Sequence, residues 1–227
     1  MAPGSGSQAV KLTCDDGFLY AVKFQGNPHG TRILAAEQVI SHLGLYLGAP
    51  VAVAAHVSVS AEFVNANSIQ VNGVAALPGV HHGSRWELGA TDREGLAYVG
   101  EAENRDRFAS LKVLYTWTCA GDSQFIYKKA APHLVYSVDH GHFFPGSTGW
   151  TAPSLAAAPA PVLDPLFDPV GLGAADLKPF LDRLASLNPE TVADAIARVR
   201  SDWGVADADL TALGNFLFAR AAQIAAL

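Results

Sequence analysis

Residues 8–24 read QAVKLTCDDGFLYAVKF. Two apolar-rich runs, Gln8–Cys14 and Phe18–Phe24, flank the turn Asp15-Asp16-Gly17. An Asp-Gly pair between two such runs predicts a β-hairpin, because both turn positions tolerate positive φ. Side chains alternate across a strand. Phe18, Tyr20, Val22 and Phe24 therefore share one face of the second run, and Leu19, Ala21 and Lys23 share the other. Lys23 is a lone charge on an otherwise apolar strand.

Outward from the hairpin, Gly26–Gly30 reads as a loop and Arg32–Leu47 as a helix. Ile33, Ala36, Ile40, Leu43 and Leu47 repeat at helical spacing and make a buried stripe. Glu37, one turn beyond Ile33, sits at its edge. Gly48 ends the helix, and Pro50 opens a strand through Ser58. The middle is less regular: Ala61–Asn67 is a short segment, and Leu77–Leu88 reads as a loop. A second helix is predicted over Asn104–Thr118, followed by the loop Cys119–Gln124. Strands Phe125–Lys128 and His133–Val138 come next, ending at Asp139-His140-Gly141-His142. Residues 145–171, rich in Pro, Gly and Ala, read as a surface connection. The remainder is helical. Leu177, Phe180, Leu181 and Leu184 form one apolar face, with Pro179 expected to open that helix, Asn188-Pro189-Glu190 caps another, and Asp209–Leu227 closes the chain. Strands first and helices after predict an α+β fold.

Half of the 227 residues are hydrophobic, and only 16% are charged, against roughly 25% in soluble domains. The net charge of −6 offers no basic stripe to neutralise phosphates, which excludes a general nucleic-acid binder. No run approaches the roughly 18 apolar residues of a membrane span. The first residues lack the basic and apolar regions of a signal peptide. Two cysteines, Cys14 and Cys119, make no disulfide framework. These readings predict a cytoplasmic protein with no membrane and no direct nucleic-acid partner.

Four charged residues stand where charges are unusual: Lys23 on a strand, Glu37 on the next helix, Asp122 in the loop after an apolar helix, and Asp139 at the end of an apolar strand. Phosphoryl transfer uses these types. A lysine neutralises phosphate, a helical carboxylate holds the lysine, one Asp orients the attacking hydroxyl, and a second Asp holds Mg²⁺. The two other readings of these positions are an edge lysine with surface carboxylates, and a turn aspartate. Each residue alone fits those readings; the ordered set is the informative signal.

The strings Tyr20–Pro28 (YAVKFQGNP), Leu34–Glu37 (LAAE) and Val138–Phe144 (VDHGHFF) resemble the HipA-like kinase family. Asp202-Trp203-Gly204 before a Leu-rich closing helix is similar to it as well. The resemblance spans about residues 5–225 and is closest to short, stand-alone members. It implies a bilobal kinase-like fold, with a strand-rich nucleotide lobe over 1–60 and a mostly helical catalytic lobe over 61–227. It also implies ATP and Mg²⁺ as cofactors and a Ser/Thr or small-molecule hydroxyl as phosphate acceptor. Carried over by motif, Lys23 is the phosphate-contacting lysine, Glu37 its partner, Asp122 the catalytic Asp and Asp139 the metal ligand. The Gly4–Gln8 stretch, with Gly6 and Ser7, is then the phosphate loop. The alternative for a Gly/Ser-rich end is a loosely held terminus.

One position departs from the family. Five residues after the catalytic Asp the family has a metal-binding Asn; here Tyr127 stands there, and Ser123 stands where an Arg is usual. Gln124, with an amide oxygen, is the candidate substitute ligand. The departure keeps a second reading open, a non-catalytic pseudokinase that binds nucleotide or a partner protein. The histidines support a third. His140-x-His142, with His81-His82, is compatible with a zinc or iron site, although no third ligand falls at a recognisable spacing. The alternatives are that His140 and His142 pack beneath the metal loop, and that His81, His82, Ser84 and Arg85 lie on a surface loop or a substrate entrance. Trp86, Trp117, Trp150 and Trp203 are expected in the core or at the contact between lobes.

Overall fold

The structure, a computed structural model, describes residues 8–227. The expected hairpin forms: β1 (Val10–Thr13) pairs antiparallel with β2 (Leu19–Lys23), Leu12 opposite Tyr20. Helix α1 spans Arg32–Leu47, and Gly48 ends it in the left-handed conformation at φ 80°. Glycine adopts that conformation without a Cβ penalty. After α1 come β3 (Ala54–Val59), α2 (Ala61–Ala66) and a small hairpin, β4 (Gln70–Val71) with β5 (Val74–Ala75).

The next segment overturns an expectation. Gly79–Arg85, inside the stretch read as a loop, is strand β6. It lies between β2 and β3 in a four-stranded antiparallel sheet of order β1-β2-β6-β3. Its His, Gly and Ser residues carry weak strand propensity, and cross-strand packing overrides it. Gly83 shows how. A Cβ there would lie 2.6 Å from Val57 Cγ2 and 3.3 Å from Tyr20 Cδ1, so only glycine lets β2 and β3 close around the strand. His81 and His82, placed on a surface loop by the sequence, are fully buried. The sheet thus draws on residues well beyond 60.

One face of this sheet carries Tyr20, Val22, Phe24, Val57 and Val59, covered by Val64, Ile69 and Val71. The other face, with Lys23 and His82, meets α1. Two buried polar residues of α1 explain the docking. Gln38 Nε2 donates to the Ala55 carbonyl at 3.0 Å. Ser41 Oγ donates to the Ala52 carbonyl at 2.7 Å and accepts from Ala54 N at 2.9 Å. Backbone groups beside β3 thus find partners in a helix side chain, as buried polar groups must.

A three-stranded antiparallel sheet follows, β7 (Ala90–Arg93), β8 (Gln124–Lys128) and β9 (Val135–Val138), in that order. Helix α3 (Ala102–Thr118) connects β7 to β8. A parallel bridge between Val51 and Ser137 joins the two sheet regions. The C-terminal part contains α4 (Ala152–Ala156), α5 (Ala174–Ala185), α6 (Pro189–Ala197) and α7 (Asp207–Ala225). The α+β class is borne out.

Three further expectations change. Pro179 lies inside α5 rather than opening it. The Asp176 carboxylate accepts from Gly173 N at 2.7 Å, so the helix begins well before the proline. Residues 145–171 are not only a surface connection, because Trp150 and Phe167 are fully buried. Trp86 is 42% exposed, whereas Trp117, Trp150 and Trp203 are core residues as expected. Each of those three indoles has an acceptor: the Leu217, Arg32 and Val80 carbonyls, as amphipathic aromatics need when buried. The Trp203 carbonyl also accepts from Thr31 Oγ1. This residue therefore ties the C-terminal region to both β6 and the start of α1. Among the described residues, no helix is long and apolar enough to cross a membrane.

Candidate functional site

Alternation along β2 points Lys23 away from the apolar face of the sheet and toward α1. It lies opposite His82 in the register, and it is buried with 5% exposure. A buried ammonium needs anionic partners. Two are supplied from distant elements. Glu37, in the second turn of α1, bonds Lys23 Nζ through Oε1. Asp139, directly after β9, places Oδ1 at 2.5 Å from the same nitrogen. Burial alone would push the lysine down, but the charges of Glu37 and Asp139 override it, and its pKa is raised. For Glu37 burial pushes upward, and the Lys23 charge together with His140 and His82 brings it well below the usual carboxylate range. Lys23 and Glu37 are therefore both charged at neutral pH, and Asp139 adds its carboxylate to the same ammonium.

The backbone shows how Asp139 reaches the lysine. Its φ is +60°, a left-handed conformation that Asp tolerates better than most residues. The unusual angle sits on Asp139 itself and not on the nearby Gly141. Gly141 serves close approach instead. A Cβ there would lie 3.0 Å from Ile33 Cβ, so the loop presses directly on the first turn of α1. Beneath it, His140 is buried with Nε2 at 2.8 Å from Ser137 Oγ. His142 Nδ1 lies 3.1 Å from Ser147 Oγ. Both histidines pack and hydrogen-bond as expected. Among the described residues, no group of three or more His, Cys, Asp or Glu side chains is arranged to hold a metal ion, which gives the histidine metal centre no support.

Lys23, Glu37 and Asp139 floor a cleft of about 400 Å³ between the two sheets. Its walls include Ala21 and Ser84 from one sheet and Gln124 and Ile126 from the other, with Trp86 and Glu87 from the strand's exit. Lys11 and Arg85 add positive charge, while Glu87 and Asp92 add negative charge. Lys11 Nζ stands 4.3 Å from the Trp86 ring centroid. The linking residues are fixed: Lys128 Nζ binds the Glu87 carboxylate at 2.7 Å and the Leu88 carbonyl at 2.8 Å. Sequence reasoning missed Trp86 and Glu87 as cleft residues, since their place depends on β6 being a strand, whereas Ser84 and Arg85, read as a surface loop or a substrate entrance, do line the cleft. A second groove of about 610 Å³ lies on the opposite face of the four-stranded sheet, lined by Cys14, Tyr20, Val57 and Phe63 among others. It lacks the buried lysine–carboxylate cluster.

The remaining expected site residues divide. Gln124 pairs with Val138, which sets it beside Asp139 on the cleft wall. Asp122 is exposed and lies outside the cleft lining, two residues before β8. Its Oδ1 accepts from Ser123 N at 2.7 Å. The adjoining Gly121 lies against the loop after β9, where a Cβ would stand 2.7 Å from the His142 carbonyl oxygen. Gly6 and Ser7 lie outside the described residues.

Tyr127 does not point into the cleft. Alternation along β8 puts Gln124 and Ile126 on the cleft side and Phe125 and Tyr127 in the core. The Tyr127 hydroxyl accepts from Ala97 N at 2.9 Å and donates to the Gly95 carbonyl at 3.1 Å. It is a structural strut for the segment before α3. Tyr127→Phe is expected to lower stability by about 1–2 kcal/mol and to leave ligand affinity at the cleft unchanged. A urea titration with a parallel binding titration checks both parts.

Compared with known families and curated proteins, the sequence matches no family model and no curated protein.

Proposed function

We propose that this chain is a HipA-like phosphotransferase of bilobal, kinase-like architecture that moves the γ-phosphate of Mg-ATP to a hydroxyl. The four-stranded sheet with α1 acts as the nucleotide lobe, and the helical part with the three-stranded sheet as the catalytic lobe. The observation that carries the reading is Lys23, buried between Glu37 and Asp139 at the floor of a nucleotide-sized cleft. Phosphoryl transfer is mainly positioning and charge stabilisation, and this is the arrangement it requires. Lys23 offers its ammonium to phosphate oxygens while Glu37 holds it. Arg85 and Lys11 add positive charge higher in the cleft. Asp122, two residues before β8 and outside the cleft lining, would accept the proton of an acceptor hydroxyl brought to it from solvent.

The donors fit a hard divalent cation. Asp139 supplies a carboxylate and Gln124 an amide oxygen from adjacent strands. Mg²⁺ ordinarily takes one or two protein oxygens, with phosphate and water completing its shell. When bound, the ion neutralises phosphate charge that Asp139 alone would repel. One observation favours the pseudokinase alternative: Tyr127 is locked in the core, so the position of the missing Asn has no oxygen to offer the cleft.

Thermal unfolding with and without Mg-ATP tests nucleotide binding. At one hundredfold excess over Kd the expected stabilisation is about 2.7 kcal/mol. Asp139→Asn is expected to remove most of it, because the metal site contributes to ground-state binding. Asp122→Asn is expected to keep it and to abolish radiolabelled phosphate transfer, because acceptor positioning acts mainly in the transition state. Wild-type protein that binds Mg-ATP but transfers nothing, with Asp122→Asn indistinguishable from it, supports the pseudokinase. No stabilisation at millimolar nucleotide counts against both.

A further inference from the structure

Glu37 has two carboxylate oxygens, and Lys23 accounts for only one. Oε2 faces two buried imidazoles, His140 Nδ1 at 3.6 Å and His82 Nε2 at 3.8 Å. His82 Nε2 is already 2.9 Å from Ser84 Oγ. His140 is engaged differently. Its Nε2 lies 2.8 Å from Ser137 Oγ, and Ser137 Oγ lies 2.7 Å from the Tyr115 hydroxyl. Tyr115, Ser137, His140, His82 and Glu37 are all buried. The line Tyr115–Ser137–His140–Glu37–Lys23 thus crosses α3, β9, the loop after β9, α1 and β2.

Proton counting gives the line a direction. Each hydroxyl has one proton and each neutral imidazole has one N–H. If Tyr115 donates to Ser137 and Ser137 donates to His140 Nε2, the remaining N–H is on Nδ1 and faces Glu37. The reverse direction turns the Nδ1 lone pair on a carboxylate, which is repulsive. The Glu37 charge therefore selects the first arrangement. At 3.6 Å the final contact is an aimed ion–dipole interaction rather than a full hydrogen bond, strengthened by the low dielectric around it. Gly141, pressed on Ile33, brings the loop close enough for it.

We propose that His140 is a positioning residue for Glu37: clamped by the Tyr115 and Ser137 hydroxyls, it fixes the carboxylate that in turn holds Lys23 over the cleft. The inference rests on reading that cleft as a phosphate-handling site. His140 touches no substrate; its effect passes through Glu37.

The test is a cycle of His140→Phe, which keeps ring volume and removes both nitrogens, with Glu37→Gln. Mg-ATP affinity and the unfolding midpoint of the nucleotide-free protein are both measured. In the wild-type background His140→Phe is expected to weaken Mg-ATP binding about tenfold, the scale of one lost interaction with a charged group. His140→Gln, which retains an N–H, is expected to recover most of that loss. With Glu37→Gln already present, His140→Phe is expected to add little to either measurement. Ser137→Ala, which unclamps the ring without altering it, is expected to repeat part of the loss, and it decides the matter should His140→Phe not fold. Equal losses in both backgrounds mean a purely structural histidine and overturn the proposal. No loss in the wild-type background overturns it too. Wild-type protein that binds no Mg-ATP removes the phosphate reading. The unfolding midpoints then decide alone, with additive shifts overturning the positioning role.

Discussion

Lys23→Met is expected to destabilise the protein by about 3–5 kcal/mol, the cost of removing one partner from a buried ion pair. Methionine fills the space of the lysine stem, so the effect is electrostatic rather than a cavity. The substitution removes the ammonium that Glu37, 2% exposed, and Asp139, with its side chain 15% exposed, share. Part of the loss should return in Lys23→Met/Glu37→Gln, since the fully buried charge is then gone as well. Urea unfolding of the three proteins at neutral pH measures this. A loss below about 1 kcal/mol for Lys23→Met would mean that the cluster is hydrated and behaves as a surface pair. On the proposed kinase reading, the same substitution should abolish any stabilisation by Mg-ATP, because Lys23 is there the cation assigned to phosphate.

Acidification to about pH 4 is expected to cost about 3 kcal/mol through His82 alone. Burial pushes this imidazole down to about 4, with Glu37 raising it and Lys23, His140 and His56 lowering it further. In the unfolded chain it titrates near its ordinary value, about 6.5. Between those two values the unfolded state binds the proton and the folded state does not. Stability therefore rises with pH across this window. The contribution is fully present above about 6.5 and is lost as pH falls toward 4. His81 is lowered as well, first by burial, and adds in the same direction. Glu37 contributes below this range, because a depressed carboxylate loses its stabilising effect only as pH falls through its own low pKa. His82→Gln should flatten the curve between pH 6.5 and 4.5. Matching pH dependence in wild type and variant would show that His82 is not the titrating group.

Much of the fold was readable where one signal acted alone. The N-terminal hairpin had both alternation and an Asp-Gly turn. The helix Arg32–Leu47 had a strong stripe and a glycine stop, and its ends agree with the structure. The lysine, the helical glutamate and the aspartate after the strand were legible as charges in apolar surroundings, and the structure brings all three together. Gly79–Arg85 was not legible, because His, Gly and Ser report local preference whereas the strand forms through its neighbours. What depends on that strand was hidden with it: the burial of His82, and the place of Trp86 and Glu87 in the cleft lining. Tyr127 was noticed for its position in a motif. Its orientation follows from the packing of β8, which turns the face shared by Phe125 and Tyr127 into the core; the sequence alone does not say which face of a strand is buried. Asp122 was chosen for its loop, and the structure leaves it exposed and outside the cleft lining.

The order of strands in the four-stranded sheet also bears on how the chain is made. A ribosome delivers β1, β2 and β3 long before β6, the strand that fits between the last two. Until residues 79–85 have emerged, β2 carries one open edge, the kind that invites pairing with another polypeptide. Its buried lysine waits longer still. Lys23 precedes Asp139 by 116 residues, which take on the order of ten seconds to add at about 5–20 residues per second. The hydrogen bond from Trp203 to Val80, which ties β6 to the C-terminal region, comes later again. The N-terminal sheet is thus the first part of the protein to be synthesised and among the last to be completed.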